Sequence, residues 1–222
     1  MESLKETKKT RLRQNRENAV YDQAMLYQIL DESHIVQVGF SMDSQTYVIP
    51  MLGWRINNTL YIHGSNSSRM IKALTSGANC CVTATLLDGC VLAKSAFHHS
   101  ANYRSAVIFG QFHTVDDPDA VNESLRLFTE QIAPGRWDEV RPGSPSELKA
   151  TTVLAISLEE ASVKVRTGGA NDNKADQALP VWSGEMVFEQ RIIEMRPDDY
   201  TSAKQPTPDY NKAWGDKWQV PR

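Results

Sequence analysis

The chain has no C-x-x-C pair, and its three cysteines, Cys80, Cys81 and Cys90, are an odd number with two of them adjacent. They cannot all pair within one chain, so a disulfide framework is excluded, and the reading is reduced thiols buried in strands. No Cys/His spacing matches a structural zinc site. Nor is there a stretch approaching the ~18 apolar residues of a membrane span. The segment from Met1 to Glu17 is Lys, Arg, Glu and Gln with no apolar core, so it is not a secretory signal. Positive charge is not in excess: 24 Lys and Arg against 27 Asp and Glu leave a net charge of −3. That argues against a broad nucleic-acid surface while leaving room for a local anion site. Walker A, G-x-G-x-x-G and G-x-S-x-G are all missing, which removes the P-loop, the Rossmann site and the nucleophile elbow. The expectation is a cytoplasmic protein with neither nucleic acid nor membrane as partner.

What is present fits one generous domain. A chain of 222 residues buries roughly 70–75% of its unfolded surface, and 41% hydrophobic with 23% charged residues is an ordinary globular balance. We divide it into a polar arm over 1–17, a domain over 18–195 and a tail over 196–222. Apolar residues at Val20, Ala24, Tyr27, Ile29 and Leu30 predict a helix over 18–33. The β-rich runs 35–40 and 46–52 flank the polar turn Asp43-Ser44-Gln45 and predict a hairpin, with Pro50 marking an edge or a bulge. A strand over 59–63 and a helix over 67–76, stopped by Gly77, follow. Strands are predicted over 80–86, 89–97 and 103–115, the first two joined by a hairpin turn at Asp88-Gly89. A helix over 119–132, a Pro- and Gly-rich loop, and strands over 152–158 and 161–166 complete the pattern. Six to eight short strands with a few helices outside imply a small β-barrel or sandwich.

Two polar clusters carry the chemistry. In His63-Gly64-Ser65-Asn66-Ser67-Ser68-Arg69-Met70-Ile71-Lys72 a strand ends, the chain turns at Gly64, and hydroxyls sit where a helix starts. Arg69 and Lys72 share a helical face, so both can reach one anion, above all a phosphate. Taken alone, the same residues also describe an ordinary helix cap with Ser65 or Asn66 as the capping group. The second cluster, 94–105, gathers Ser95, His98, His99, Asn102, Arg104 and Ser105 between two β segments. Adjacent histidines on extended chain point to opposite sides, so a shared metal is not expected. The cluster is either a surface loop or a polar rim over a ligand.

The run His63-Gly64-Ser65 to Ser68-Arg69-Met70, the run Val82-Thr83-Ala84-Thr85-Leu86-Leu87-Asp88-Gly89 and the run Ser95-Ala96-Phe97-His98-His99-Ser100 to Asn102-Tyr103-Arg104-Ser105 resemble one family. It is the flavin-nucleotide-binding branch of the pyridoxamine 5′-phosphate oxidase-like superfamily, the branch related to the 5-nitroimidazole-resistance proteins. Val165-Arg166-Thr167-Gly168 and Pro180-Val181-Trp182-Ser183-Gly184 extend the match to about Val20 to Gly184. The resemblance implies a mainly β fold with flanking helices, a split β-barrel, dimerising with FMN at the subunit interface. It places Arg69, with Ser68 and Lys72, on the flavin phosphate, and His63 and Ser65 at the phosphate or ribityl end. It puts the backbone of Val82 and Thr83 at the ring edge, Ser95, Asn102, Arg104 and Ser105 against the flavin, and Trp182 beside the ring. His98 is the candidate proton donor. Met70 stands where the oxidases carry a second basic residue, and their Arg/His grip on pyridoxal phosphate is missing. The implied activity is therefore an FMN-dependent oxidoreductase acting on another small molecule. The alternative is a binding module, without turnover, for flavin, deazaflavin, another phosphorylated ligand, or a tetrapyrrole such as haem.

Overall fold

The computed structural model describes residues 3–217; the ends of the arm and of the tail expected from sequence lie outside the described residues. Ten strands and five α-helices follow in chain order: β1 Ala19–Val20, α1 Gln23–Glu32, β2 Ile35–Met42, β3 Gln45–Ile56, β4 Thr59–Ser65, α2 Arg69–Thr75 and β5 Asn79–Leu92. Then come β6 Ser100–Gln111, β7 His113–Thr114, α3 Pro118–Ile132, α4 Pro145–Ala150, β8 Thr151–Ser157, β9 Ala161–Arg166, β10 Gly184–Val187 and α5 Asn211–Lys217. The sheet runs β1-β9-β6-β5-β2-β3-β4-β8-β7, every pair antiparallel, with β10 added beside β5. It curls around a core without closing, which makes it a split barrel. The strands beyond the expected six to eight are the short ones, β1, β7 and β10.

α1 starts where Asp22 accepts from the Ala24 N–H, 2.9 Å away. Leu26, Ile29 and Leu30 recur at helical spacing and are buried against Val38, Val82, Ala106 and Ile108 of the strands. The residues before it, expected in the same helix, instead form β1, because the Asp22 cap fixes the helix start. Asp43 and Ser44 both take positive φ (51° and 61°), the geometry that closes a two-residue hairpin between β2 and β3. β3 serves two partners: 45–52 pairs with β2 and 53–56 with β4. Pro50 therefore sits where one side of β3 is open. The alternation that points the Gly53 N–H at the His34 carbonyl turns position 50 to that open side, so the missing donor costs no ladder bond.

The expected turn at Asp88-Gly89 does not exist. β5 is one strand that passes straight through it, with a bulge between Leu87 and Gly89 in its pairing with β6. Two local facts override the turn signal. Gly89 is needed because β10 lies on it: a Cβ there would stand 2.4 Å from the Met186 carbonyl oxygen. Asp88 faces inward, where the Arg104 guanidinium donates to it twice, Nε to Oδ2 at 2.9 Å and Nη2 to Oδ1 at 2.8 Å. The third arm of that guanidinium lies 2.6 Å from Glu32 Oε2 at the end of α1. All three groups are buried, Arg104 completely. Burial works against the charge on Arg104, but Asp88 and Glu32 more than restore it, and its pKa is raised.

At the other end of the barrel the N-terminal arm wraps onto β9. Leu4 N–H bonds the Tyr21 carbonyl, Thr10 is buried, and Glu160 accepts from the Thr7 hydroxyl (2.8 Å) and from Lys9 (3.1 Å). The three cysteines are unpaired, and burial pushes the Cys80 thiol up to about 11. Among the described residues no helix is long and apolar enough to cross a membrane.

Arg104→Leu should cost about 3–5 kcal/mol of stability, because it strands two buried carboxylates. Chemical denaturation reads it, and a midpoint unchanged from wild type would contradict the account. The Thr7 and Lys9 donors hold the Glu160 carboxyl below the usual carboxylate range. Their hold is thus complete above that range and lost as pH falls through the depressed folded value. Hydrogen exchange of the arm around Thr10 should accelerate on acidification before the core strands do.

Candidate functional site

The turn from β4 into α2 is built by hydroxyls. Ser65 and Ser67 share a hydrogen bond at 2.8 Å, and the Ser67 N–H donates to Ser65 Oγ. Asn66 anchors the turn from outside, donating to the Lys149 carbonyl and accepting from Thr152, both at 2.7 Å. Ser68, not Ser65 or Asn66, caps α2 through the Ile71 N–H. Gly64 lets β4 press on the helix: a Cβ there would meet Ile71 Cγ1 at 2.9 Å.

α2 buries Met70, Ile71 and Leu74 and leaves Arg69 and Lys72 on its open side. The Arg69 guanidinium lies over the Tyr47 ring, 4.8 Å from its centroid. Among the described residues neither cation has a carboxylate partner. Both line a cleft of about 520 Å³ between α2 and the tip of the β2–β3 hairpin, with Ser41, Met42, Ser67, Ala73, Ser76 and Ala78. Two uncompensated cations, three hydroxyls and an aromatic backing plate suit a phosphate-bearing ligand.

The other residues expected at the ligand fall in three places. His63 is on the outer face of β4, under α3, with its ring 5.7 Å from Trp54 and 5.2 Å from Phe128. Burial lowers its pKa, and it does not line the cleft, because the residues of β4 alternate faces and Ser65 is beyond the sheet's edge of contact with α3. Val82 is in the core, and its backbone is paired on both sides, with Val38 and with Ile108. Thr83 faces out and bonds Gln37 at 3.1 Å, and its backbone is likewise paired with Gln37 and Val107. Amides free to meet a ring edge thus begin only past Thr83, where β2 stops pairing with β5. Arg104 is the buried hub described above. Its charge is taken by Asp88 and Glu32, so it is not a ligand contact; its neighbour Ser105 lies on the outer face opposite Thr85.

Ser95, His98, Asn102 and Trp182 do gather, at the far end of β5. Asp172 accepts from the N–H groups of Lys94 (3.0 Å) and Ser95 (3.2 Å), while Lys94 Nζ donates to the carbonyls of Gln177 and Leu179, both at 2.8 Å. Asn102 donates to Glu185 at 2.5 Å and accepts from Arg166, which also donates to the Gly168 and Gly169 carbonyls. These bonds stitch the segment after β9 to the β5–β6 end and hold Phe97 (90% exposed) and Trp182 (66% exposed) at the surface. Ser95 Oγ is buried there without a hydrogen-bond partner, and His99 Nδ1 is 3.0 Å from the Ser95 carbonyl. Among the described residues no three His, Cys, Asp or Glu are placed to hold a metal ion.

Sequence reading missed Tyr47, Asp172 and Lys94. Tyr47 sits in a strand with no polar neighbour to single it out, and Asp172 lies in a polar stretch where any acidic residue looks alike. Only the pairing of Lys94 with Asp172 across the fold gives either a meaning.

The family profile described as pyridoxamine 5′-phosphate oxidase matches residues 22–165. No curated protein matches the chain. Among solved structures it is similar to the flavocytochrome Anf3 of Azotobacter vinelandii, 34% identical, with 93% of this chain and 96% of that one covered and a TM-score of 0.87. It is similar to the FAD and heme binding protein of Mycobacterium smegmatis at 30% identity, covering 89% and 97%, with a TM-score of 0.84. A candidate 5-nitroimidazole antibiotic resistance protein of Bacteroides thetaiotaomicron, at 21% identity, 66% and 86% coverage and a TM-score of 0.57, shares the fold. With a profile matched across most of its length and two relatives at 30% identity or above, the chain belongs to the pyridoxamine 5′-phosphate oxidase family.

Proposed function

We propose that this protein binds a flavin nucleotide by its phosphate end at Arg69 and Lys72 and works as an oxidoreductase on a small molecule. The observation that carries the reading is the pair of carboxylate-free cations in a hydroxyl-lined cleft. Bound flavin supplies the redox step, taking up and passing on hydride or electrons at its N5. This chain's residues bind and orient: Arg69 and Lys72 neutralise phosphate, and Tyr47 fixes the guanidinium plane. FMN is the form the sequence resemblance implies. The cleft, however, continues past Lys72 to Ser76 and Ala78, and the 30% identical relative is described as binding FAD, so we read the ligand as FAD.

The reading includes a homodimer. The cleft opens at the start of β5 and the Ser95–Trp182 rim at its end, with a 14-residue strand between them. At ~3.3 Å per residue the two lie on the order of 40 Å apart, too far for one flavin mononucleotide within one chain. A two-fold axis on the sheet face between them brings one protomer's rim to its partner's cleft. That face supports it: Val48, Pro50, Leu52, Ile35, Cys81, Val107 and Leu87 stand on the outer side around the single Gln37–Thr83 bond, and Val48 is 66% exposed. His98, on the rim, is the proposed proton donor.

A second reading adds haem. The segment 166–217 lies beyond the family profile yet inside the match to two relatives, one described as a flavocytochrome and one as binding FAD and heme. The absorption spectrum of the purified protein separates the two: flavin bands alone, or flavin bands with a Soret band. Mass analysis of the ligand released on heating then reads FAD or FMN. Arg69→Ala should weaken flavin binding by about 1.5–3 kcal/mol, roughly 10- to 150-fold, by fluorescence titration. Unchanged affinity in that variant would remove the phosphate assignment, and a colourless protein that takes up no added flavin would remove the oxidoreductase reading.

A further inference from the structure

After β10 the chain makes an excursion over 189–210 whose two roots lie close together. At the first root, Gly184–Val187 pairs with β5 and the Phe188 N–H donates to the Asp88 carbonyl. At the second, Trp214 of α5 donates to the Ile132 carbonyl at 2.9 Å and its ring lies 4.3 Å from that of His34. His34 follows two residues after Glu32, and Glu32 and Asp88 grip the same guanidinium. The roots are therefore within about 15 Å, a gap that ~5 extended residues would span. The excursion is several times longer than its anchors require.

Between the roots the segment touches little of its own chain. Its hydrogen bonds close within it, among Glu194 and Arg196, Asp198 with Tyr200 and Thr201, and Ser202 with Lys204 and Gln205. Its charges are of both signs and pair locally, Arg191 near Glu189 and Arg196 with Glu194. Yet it carries large apolar side chains into solvent, Ile193 at 84% and Tyr200 at 95% exposed. A long, locally charge-balanced segment with apolar teeth is built to lie on another apolar surface. One such surface starts at its roots: Ile35 is the residue after His34, Leu52 pairs with Ile35, and Leu87 is the residue before Asp88.

We infer that 189–210 is a strap that packs Ile193, Met195 and Tyr200 onto a second copy of this chain, beside the exposed sheet face. The occupant is a second copy because donor and acceptor surfaces are both present on each chain and meet edge to edge. A two-fold operator satisfies both at once, each protomer giving a strap and receiving one. The inference rests on the homodimer reading above and adds to it the segment that clasps the partner.

The test places a photoreactive benzoyl-phenylalanine at Tyr200 in the full-length protein and follows illumination by denaturing gel and peptide mapping. Sedimentation equilibrium is run on wild type and on the triple variant Ile193→Ser, Met195→Ser, Tyr200→Ser. A covalent dimer on illumination, with at least tenfold weaker association of the triple variant, is the expected result. Wild type that dimerises while the crosslink stays within one chain, or fails to form, overturns the strap and leaves the two-fold standing. Monomeric wild type at micromolar concentration overturns both.

Discussion

The fold hangs on one guanidinium. Arg104 projects from the middle of β6 into the barrel, where α1 offers Glu32 and β5 offers Asp88. A charge with no access to water must be met by others in place, and here the two that meet it come from opposite ends of the first hundred residues. The consequences spread along the chain. Asp88 can face inward only because β5 bulges there, the bulge needs Gly89, and Gly89 opens the surface on which β10 lies. Such an interaction does little net work for stability against an apolar substitute, but it admits one register only. It fixes helix, bulged strand and C-terminal segment relative to each other before any ligand arrives.

Where elements are specified locally, the sequence reads well. The hairpin at Asp43-Ser44, the Gly77 stop and the Pro118 start of α3 rest on single-residue conformational preferences, and each stands within a residue or two of its expected place. The Asp88-Gly89 hairpin failed for the opposite reason. That dipeptide is a strong turn signal only when both residues are exposed, and the partner that buries Asp88 lies sixteen residues on in another strand. α5 was equally out of reach: a seven-residue helix of poor amphipathicity forms because Trp214 finds His34 and the end of α3.

The same division holds for the candidate site. Arg69 and Lys72 are legible because i and i+3 on a helix share a face whatever the rest of the fold does, and the cleft confirms that they face the same space. His63, Val82 and Arg104 are members of the same motifs and yet point elsewhere. In a strand, motif membership leaves the choice of face open, and that choice depends on which neighbour covers which side. Tyr47 reaches Arg69 from a strand twenty-two positions earlier, a contact with no trace in local pattern.

Along its β2 side, β5 has two guards with a gap between them. β2 covers Cys80 to Thr83 and β10 covers Gly89 to Leu92, so only Ala84 to Leu87 is left without a strand on that side. Without β10 the bare edge would extend from Ala84 to Leu92, long and apolar enough to recruit a strand from any neighbouring chain. The four-residue β10 thus limits edge-to-edge association, and the bulge twists what remains away from a straight approach. Solubility of this barrel, in that sense, is secured by a segment that lies outside the family's shared core.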